Sequence, residues 1–136
     1  MIKWGVIGTG HMANIFADSI RETDNARLVA VSSRTQKSLK TFGDKFGINE
    51  NLRFLSNEEI CKSKDLDAIY ISTLNNTHFD LIKLSAINKK NILCEKPFCL
   101  NLYEAKELQK IILTNKVMFF EGIAYLSHPQ TSNIFD

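Results

Sequence analysis

The stretch "IKWGVIGTGHMA" (Ile2–Ala13) runs a short apolar segment into three small residues spaced G-x-G-x-x-A, namely Gly8, Gly10 and Ala13, where a helical pattern begins. Each small residue in that spacing has a mechanical use. Gly8 permits a tight turn out of a strand, Gly10 lets a pyrophosphate approach bare backbone, and Ala13 lets helix and strand pack closely. The phosphates would meet the unpaired N–H groups and positive dipole end of the helix. A plain turn between strand and helix can use the same glycines, so the surrounding chain has to decide.

Apolar runs of strand length recur at Ile2–Gly8, Arg27–Ser33, Leu52–Leu55, Asp67–Thr73, Asn91–Lys96 and Lys116–Gly122. They are rich in Val, Ile and Phe and mostly continuous, as strands buried on both faces should be. Helical periodicity lies between them. His11–Thr23 presents Met12, Ile15, Phe16 and Ile20, and Gln36–Phe46 presents Leu39, Phe42 and Phe46. His78–Asn88 presents Leu81, Ile82, Leu84 and Ile87, and Leu102–Thr114 presents Leu108, Ile111 and Ile112. Strand and helix alternating in this way predict an α/β fold: a Rossmann-type, doubly wound parallel sheet with helices on both faces and strand order 3-2-1-4-5-6. The glycine motif falls at its first strand-to-helix junction, which favours a phosphate site over a bare turn.

Composition narrows the partners. With 136 residues the chain is of single-domain size. Its 17 Lys and Arg against 15 Asp and Glu leave a net charge of +2, and no basic run is interleaved with aromatics, which argues against a nucleic-acid partner. Cys61, Cys94 and Cys99 form no C-x-x-C pair, so neither a disulfide framework nor a zinc site is expected, and no metal is assigned. No signal-like or membrane-spanning apolar segment is present, and a cytoplasmic protein with no membrane partner is expected.

The end of the second strand bears on which nucleotide is bound. An NAD site usually carries Asp or Glu about 20 residues past the glycines, for the ribose 2′-hydroxyl. Here the chain reads Val31-Ser32-Ser33-Arg34-Thr35. A carboxylate would repel a 2′-phosphate, whereas Ser33 can hydrogen-bond to it and Arg34 can pair with it and stack on adenine. NADP(H) is therefore expected over NAD(H), unless Ser32–Thr35 serves only to cap the next helix. Beyond the fourth strand, Thr73-Leu74-Asn75-Asn76-Thr77-His78 lies at the ligand-binding edge of such a sheet. Thr77 can equally cap a helix, and His78 can be a packing residue or a ligand contact. The fifth strand ends Cys94-Glu95-Lys96-Pro97, where the Lys96 ammonium could supply the proton that accompanies hydride transfer, although a Lys before Pro is ordinarily a solvated loop residue.

Taken in order, "GVIGTGHMA", "AVSSRT", "DAIYISTLNNTH", "CEKP" and "FFEGIAYLSHPQ" resemble the N-terminal domain of the glucose-fructose oxidoreductase, inositol dehydrogenase and MocA family, and the "SSR" variant looks most like its NADP-dependent members. The resemblance implies roles position by position. Gly8, Thr9, Gly10, His11 and Met12 would line the pyrophosphate, and Ser33 and Arg34 the 2′-phosphate. Thr73, Leu74, Asn75 and His78 would follow the path from adenosine to nicotinamide. Glu95, Lys96 and Pro97 would border the nicotinamide ribose and reacting centre, with Lys96 the catalytic lysine and Lys96–Pro97 a cis peptide. Leu74 stands where the family commonly has Pro, which questions the turn geometry.

The same resemblance predicts a dinucleotide-binding domain over residues 1–121 and, over 122–136, the start of a crossover to a substrate and dimerisation domain outside this chain. The expected reaction is hydride transfer between nicotinamide and a sugar-, polyol- or diol-like hydroxyl or carbonyl. The isolated chain should bind cofactor with little turnover, since half a cleft positions substrate poorly. The alternatives are a non-catalytic dinucleotide-binding or regulatory module and a domain for another ligand such as CoA. The tail, with Tyr125, Leu126, Ile134 and Phe135, is expected to be mobile, swapped or paired in a homodimer contact.

Overall fold

The computed structural model of the chain describes residues 1–135. Strand and helix alternate through β1 (Ile2–Ile7), α1 (His11–Ile20), β2 (Ala26–Ser32), α2 (Gln36–Phe46), β3 (Arg53–Phe54) and α3 (Asn57–Lys62). They continue through β4 (Ala68–Ile71), α4 (His78–Ile87), β5 (Asn91–Cys94), α5 (Leu102–Asn115), β6 (Phe119–Glu121) and α6 (Pro129–Phe135). Every strand pairing is parallel and the order is β3-β2-β1-β4-β5-β6, the doubly wound arrangement expected from the sequence.

Alternating side chains put a core on each face of the sheet. Ile7, Ala30, Ile69, Ile71 and Ile92 point to one side, where α3, α4 and α5 contribute Ile60, Leu81, Ile82 and Leu108. Val6, Val31 and Tyr70 point to the other, where α1 and α2 contribute Ala13, Ala17, Leu39, Phe42 and Phe46. On this second face the cover thins out over β5 and β6: Leu93 is only half-buried and Phe120 is exposed. The resulting cleft flanks the carboxyl ends of the central strands, where doubly wound sheets bind ligands.

Local chemistry sets the helix boundaries. Thr35 caps α2 by accepting from the Ser38 N–H, and Gly47, at φ 67°, ends it in the left-handed region. Asn101 caps α5 through the Glu104 N–H while Glu104 Oε2 accepts from the Leu100 N–H. The sequence reading needs correction at α1. The helix ends at Ile20 rather than Thr23, and its buried stripe is Ala13, Ala17 and Ile20, whereas Met12 and Ile15 are exposed. Small residues close the helix against the sheet, and the larger ones turn toward the cleft. The short α3, capped by Ser56 through Glu58 N–H and Glu59 N–H, was not anticipated, because six residues are too few to show a helical period.

The tail forms a 3₁₀ turn over Ala124–Ser127 and then α6, tied together by a Thr131 hydroxyl bond to the Tyr125 carbonyl. Tyr125, Leu126 and Ile134 are exposed. The Phe135 side chain and Asp136 lie outside the described residues. No described helix is long and apolar enough to cross a membrane.

Candidate functional site

Neighbouring chain ends are tied level at the carboxyl edge of the sheet. Gly8 N–H bonds to the Ser32 carbonyl at 2.9 Å, Ser72 N–H to Ile7 at 3.0 Å, Glu95 N–H to Ile71 at 2.9 Å and Gly122 N–H to Cys94 at 2.7 Å. Every segment singled out from the sequence therefore leaves the sheet at one edge.

Gly8 stands at φ +104°, and a Cβ there would lie 2.9 Å from the Ser72 carbonyl oxygen, so both its backbone and its surroundings demand glycine. Gly10 differs. It caps α1 in ordinary extended backbone with no side-chain hydrogen bond, and a Cβ on it would meet no protein atom within 4 Å. Nothing in the protein's own packing requires glycine at that position. Asn14, which the sequence reading missed, donates from Nδ2 to the Gly10 carbonyl at 2.9 Å and to the Thr9 carbonyl at 3.4 Å. This engages the loop's carbonyls, while the first turn of α1 carries no acidic side chain. His11 and Met12 are exposed at the mouth.

Thr9 Oγ1 and Ser33 Oγ lie 3.3 Å apart, joining the glycine loop to the end of β2. The run that follows β2 divides its labour. Ser32 is buried and donates to Asn57 Oδ1 at 2.6 Å, and Thr35 is the helix cap. Ser33 is half-buried, and Arg34 is exposed with no ion pair or side-chain hydrogen bond among the described residues. The capping alternative thus holds for Thr35 and leaves Ser33 and Arg34 available.

After β4, Thr73 and Thr77 share a hydroxyl hydrogen bond at 2.7 Å, and Thr77 Oγ1 also donates to the Leu74 carbonyl. Leu74 takes φ −73° and ψ 143°, angles a proline would adopt, so leucine preserves the turn that its departure from the family pattern called into question. Leu74 and Asn75 are exposed and Thr73 half-buried. His78 is a correction to the list of ligand contacts. It is fully buried, with Nδ1 2.9 Å from the Pro97 carbonyl oxygen and Nε2 3.2 Å from that of Thr73. Its ring braces the loop after β4 against the loop after β5 and presents no atom to a ligand. A neutral imidazole carries one N–H, so one of these carbonyls accepts it, which gives the buried polar ring a partner.

Beyond β5, Lys96 and Pro97 are exposed, Glu95 is half-buried, and the Lys96–Pro97 bond is cis as expected. The Tyr70 hydroxyl donates to Glu95 Oε1 at 2.6 Å, and Glu121 Oε1 accepts the Phe98 N–H at 3.1 Å. Burial first, and then the bond to Glu95, push the Tyr70 phenol well above its usual range, so it remains a donor. Burial likewise raises the Cys94 thiol, which leaves it an unreactive core group. A cleft of about 380 Å³ opens between α1 and the end of β6, lined among others by Met12, Phe16, Tyr70, Glu95, Phe120 and Ile123. Tyr70, Asn14, Glu121 and Gly122 are the site residues that sequence reasoning missed.

Residues 2–123 match the family model GFO_IDH_MocA, described as an oxidoreductase family with an NAD-binding Rossmann fold. The chain is 35% identical over 122 residues to the uncharacterized oxidoreductase YgjR of Escherichia coli, covering 90% of this chain and 37% of that protein. It is 34% identical over 108 residues to trans-1,2-dihydrobenzene-1,2-diol dehydrogenase of Xenopus laevis, covering 78% and 32% respectively. An oxidoreductase from Agrobacterium radiobacter, solved in complex with NAD+, L-tartaric acid and magnesium, superposes with a TM-score of 0.83 at 26% identity, covering 89% of this chain and 35% of that one. The chain therefore spans about a third of the length of the proteins it matches.

Proposed function

Since this chain belongs to the GFO_IDH_MocA oxidoreductase family, as the nucleotide-binding domain at its amino-terminal side, we propose that it binds NADP(H) along the carboxyl edge of its sheet. In a protein that also carries a substrate domain, it would serve hydride transfer to or from a sugar-, polyol- or diol-like group. The observation that carries this reading is the contact of Thr9 with Ser33. It makes the glycine loop and the Ser33-Arg34 turn one polar surface with no carboxylate in the Val31–Thr35 run.

The residues present fit the group. The bare Cα of Gly10 leaves room above an α1 N-terminus whose N–H groups meet no capping side chain, which suits a pyrophosphate. Ser33 and Arg34 would hold the 2′-phosphate, and Thr73, Leu74 and Asn75 would line the path toward Glu95. When bound, the dinucleotide supplies or accepts the hydride. Lys96 Nζ, exposed at the same edge, would give a proton to the carbonyl oxygen as it becomes a hydroxyl, or in its neutral form take that proton from the hydroxyl in the reverse direction. If a Lys96→Ala protein carrying both domains turned over at the parent rate, Lys96 would lose that role. The three free thiols suit a reducing compartment such as the cytoplasm.

Calorimetric titration of the chain with NADPH and NADH tests the reading. NADPH is expected to bind about tenfold tighter or better, the scale of one charge-assisted contact. Equal affinities would reject the 2′-phosphate assignment, and no binding of either would reject the function.

A further inference from the structure

The Tyr70 hydroxyl clamps one oxygen of Glu95 in room that Gly122 leaves, and we propose that Tyr70 and Gly122 are positioning residues that set this carboxylate for the ribose at the nicotinamide end of the site. This rests on the dinucleotide reading above, which places Glu95 beside that ribose.

Strand register brings the three residues together. Tyr70 pairs with Leu93 across β4 and β5, and Leu93 pairs with Phe120 across β5 and β6. Two residues further along a strand the side chain returns to the same face, so Glu95 follows Leu93 and Gly122 follows Phe120 on the cleft side. Tyr70 is only 2% exposed, and its ring stacks on Phe16 of α1 at 4.2 Å and 27°. Phe16 in turn meets Trp4 edge-on at 5.3 Å. The phenol is therefore closely packed, and its hydroxyl reaches Glu95 Oε1 at 2.6 Å. A phenylalanine would fill the same core volume. The hydroxyl adds only the grip on Glu95.

Gly122 leaves the room for this clamp. A Cβ there would lie 3.2 Å from Glu95 Oε1 and 3.3 Å from the Cys94 carbonyl oxygen, so its bare Cα is what lets the carboxylate lie against the end of β6. The hydrogen bond and the room left by Gly122 both concern Oε1, and Oε2 has no partner among the described residues. One carboxylate oxygen is anchored and the other is free to accept from ribose hydroxyls, which are donors. A glutamate side chain has much rotamer freedom to lose, and the clamp removes it before the ligand arrives.

The test is calorimetry on Tyr70→Phe, Gly122→Ala, Glu95→Ala and Tyr70→Phe/Glu95→Ala. Each is titrated with the dinucleotide that binds the parent chain more tightly and with the half-ligand that lacks the nicotinamide ribose: 2′,5′-ADP for NADPH, ADP for NADH. Tyr70→Phe and Gly122→Ala should each weaken the dinucleotide about fivefold and leave the half-ligand unchanged. With Glu95 already replaced by Ala, Tyr70→Phe should add nothing, because the group it holds is gone. Equal weakening of dinucleotide and half-ligand would reduce both residues to a structural role and overturn the proposal. So would unchanged dinucleotide affinity in the variants, or a full additional loss in the double variant. A parent chain that bound neither dinucleotide would bring down the function reading and this inference together.

Discussion

Arg34→Ala should weaken NADPH binding by about 10- to 100-fold and NADH binding only a few-fold, because pairing with the 2′-phosphate is specific to NADPH while stacking on adenine is common to both. A guanidinium paired with a phosphate makes charge-assisted hydrogen bonds of about 1.5 to 3 kcal/mol, which is the range quoted. Arg34 is exposed and engaged with no other side chain, so its removal disturbs no internal network and the loss should appear in affinity with no change in Tm. Exposure also means screening: the gap between NADPH and NADH should narrow as salt rises from about 0.05 to 0.5 M. Arg34→Lys should recover only part of the affinity, since an ammonium lacks the planar fork. Paired titrations at two salt concentrations measure all of this. If the variant weakened both cofactors alike, Arg34 would be acting on a part they share, such as the adenine face, and the 2′-phosphate assignment would fail.

How far the site was legible in the sequence depended on whether its contacts are local. Gly8, Gly10 and Ala13 stand within six residues of one another, and the mechanical reasons for two of them survive in the fold: Ala13 is fully buried against the sheet and Gly8 sits at a positive φ. That Ser33 and Arg34 stand together at the sheet edge was legible for the same reason, since they form one turn at one strand end. His78 was not. Its environment is made by Thr73 and by Pro97, the latter 19 residues away, and no short window contains both carbonyls. The buried stripe of α1 misled because a count of large apolar residues gives weight to Met12 and Ile15 and overlooks Ala13 and Ala17, which do the packing. The Tyr70–Glu95 bond spans 25 residues. It could have been approached by reading β4 and β5 with period two, yet only the register of Tyr70 against Leu93 puts the two groups on one face.

The two glycines of the opening stretch should fail in opposite ways when replaced, and the contrast tests whether the loop exists for the protein or for a ligand. Gly8→Ala forces a side chain into φ +104° and drives its Cβ to 2.9 Å from the backbone carbonyl of Ser72, a residue whose own N–H is tied to the Ile7 carbonyl. Backbone strain of about 1 to 3 kcal/mol and a similar overpacking cost should lower Tm by roughly 10 °C in a domain of this size. The glycine loop would shift with it, and dinucleotide binding should fall below detection. Gly10→Ser meets no such obstacle, since the backbone is ordinary and no protein atom lies within 4 Å of the new Cβ. Serine is at least as good a helix cap as glycine, so Tm should hold or rise slightly. Affinity should nevertheless drop by about tenfold or more, because the hydroxyl would take the N–H groups and the space that a pyrophosphate needs. Thermal melts and titrations of both variants separate the cases. A Gly10→Ser chain that kept its full affinity would show that the N-terminus of α1 is not the phosphate seat, whatever the motif suggests.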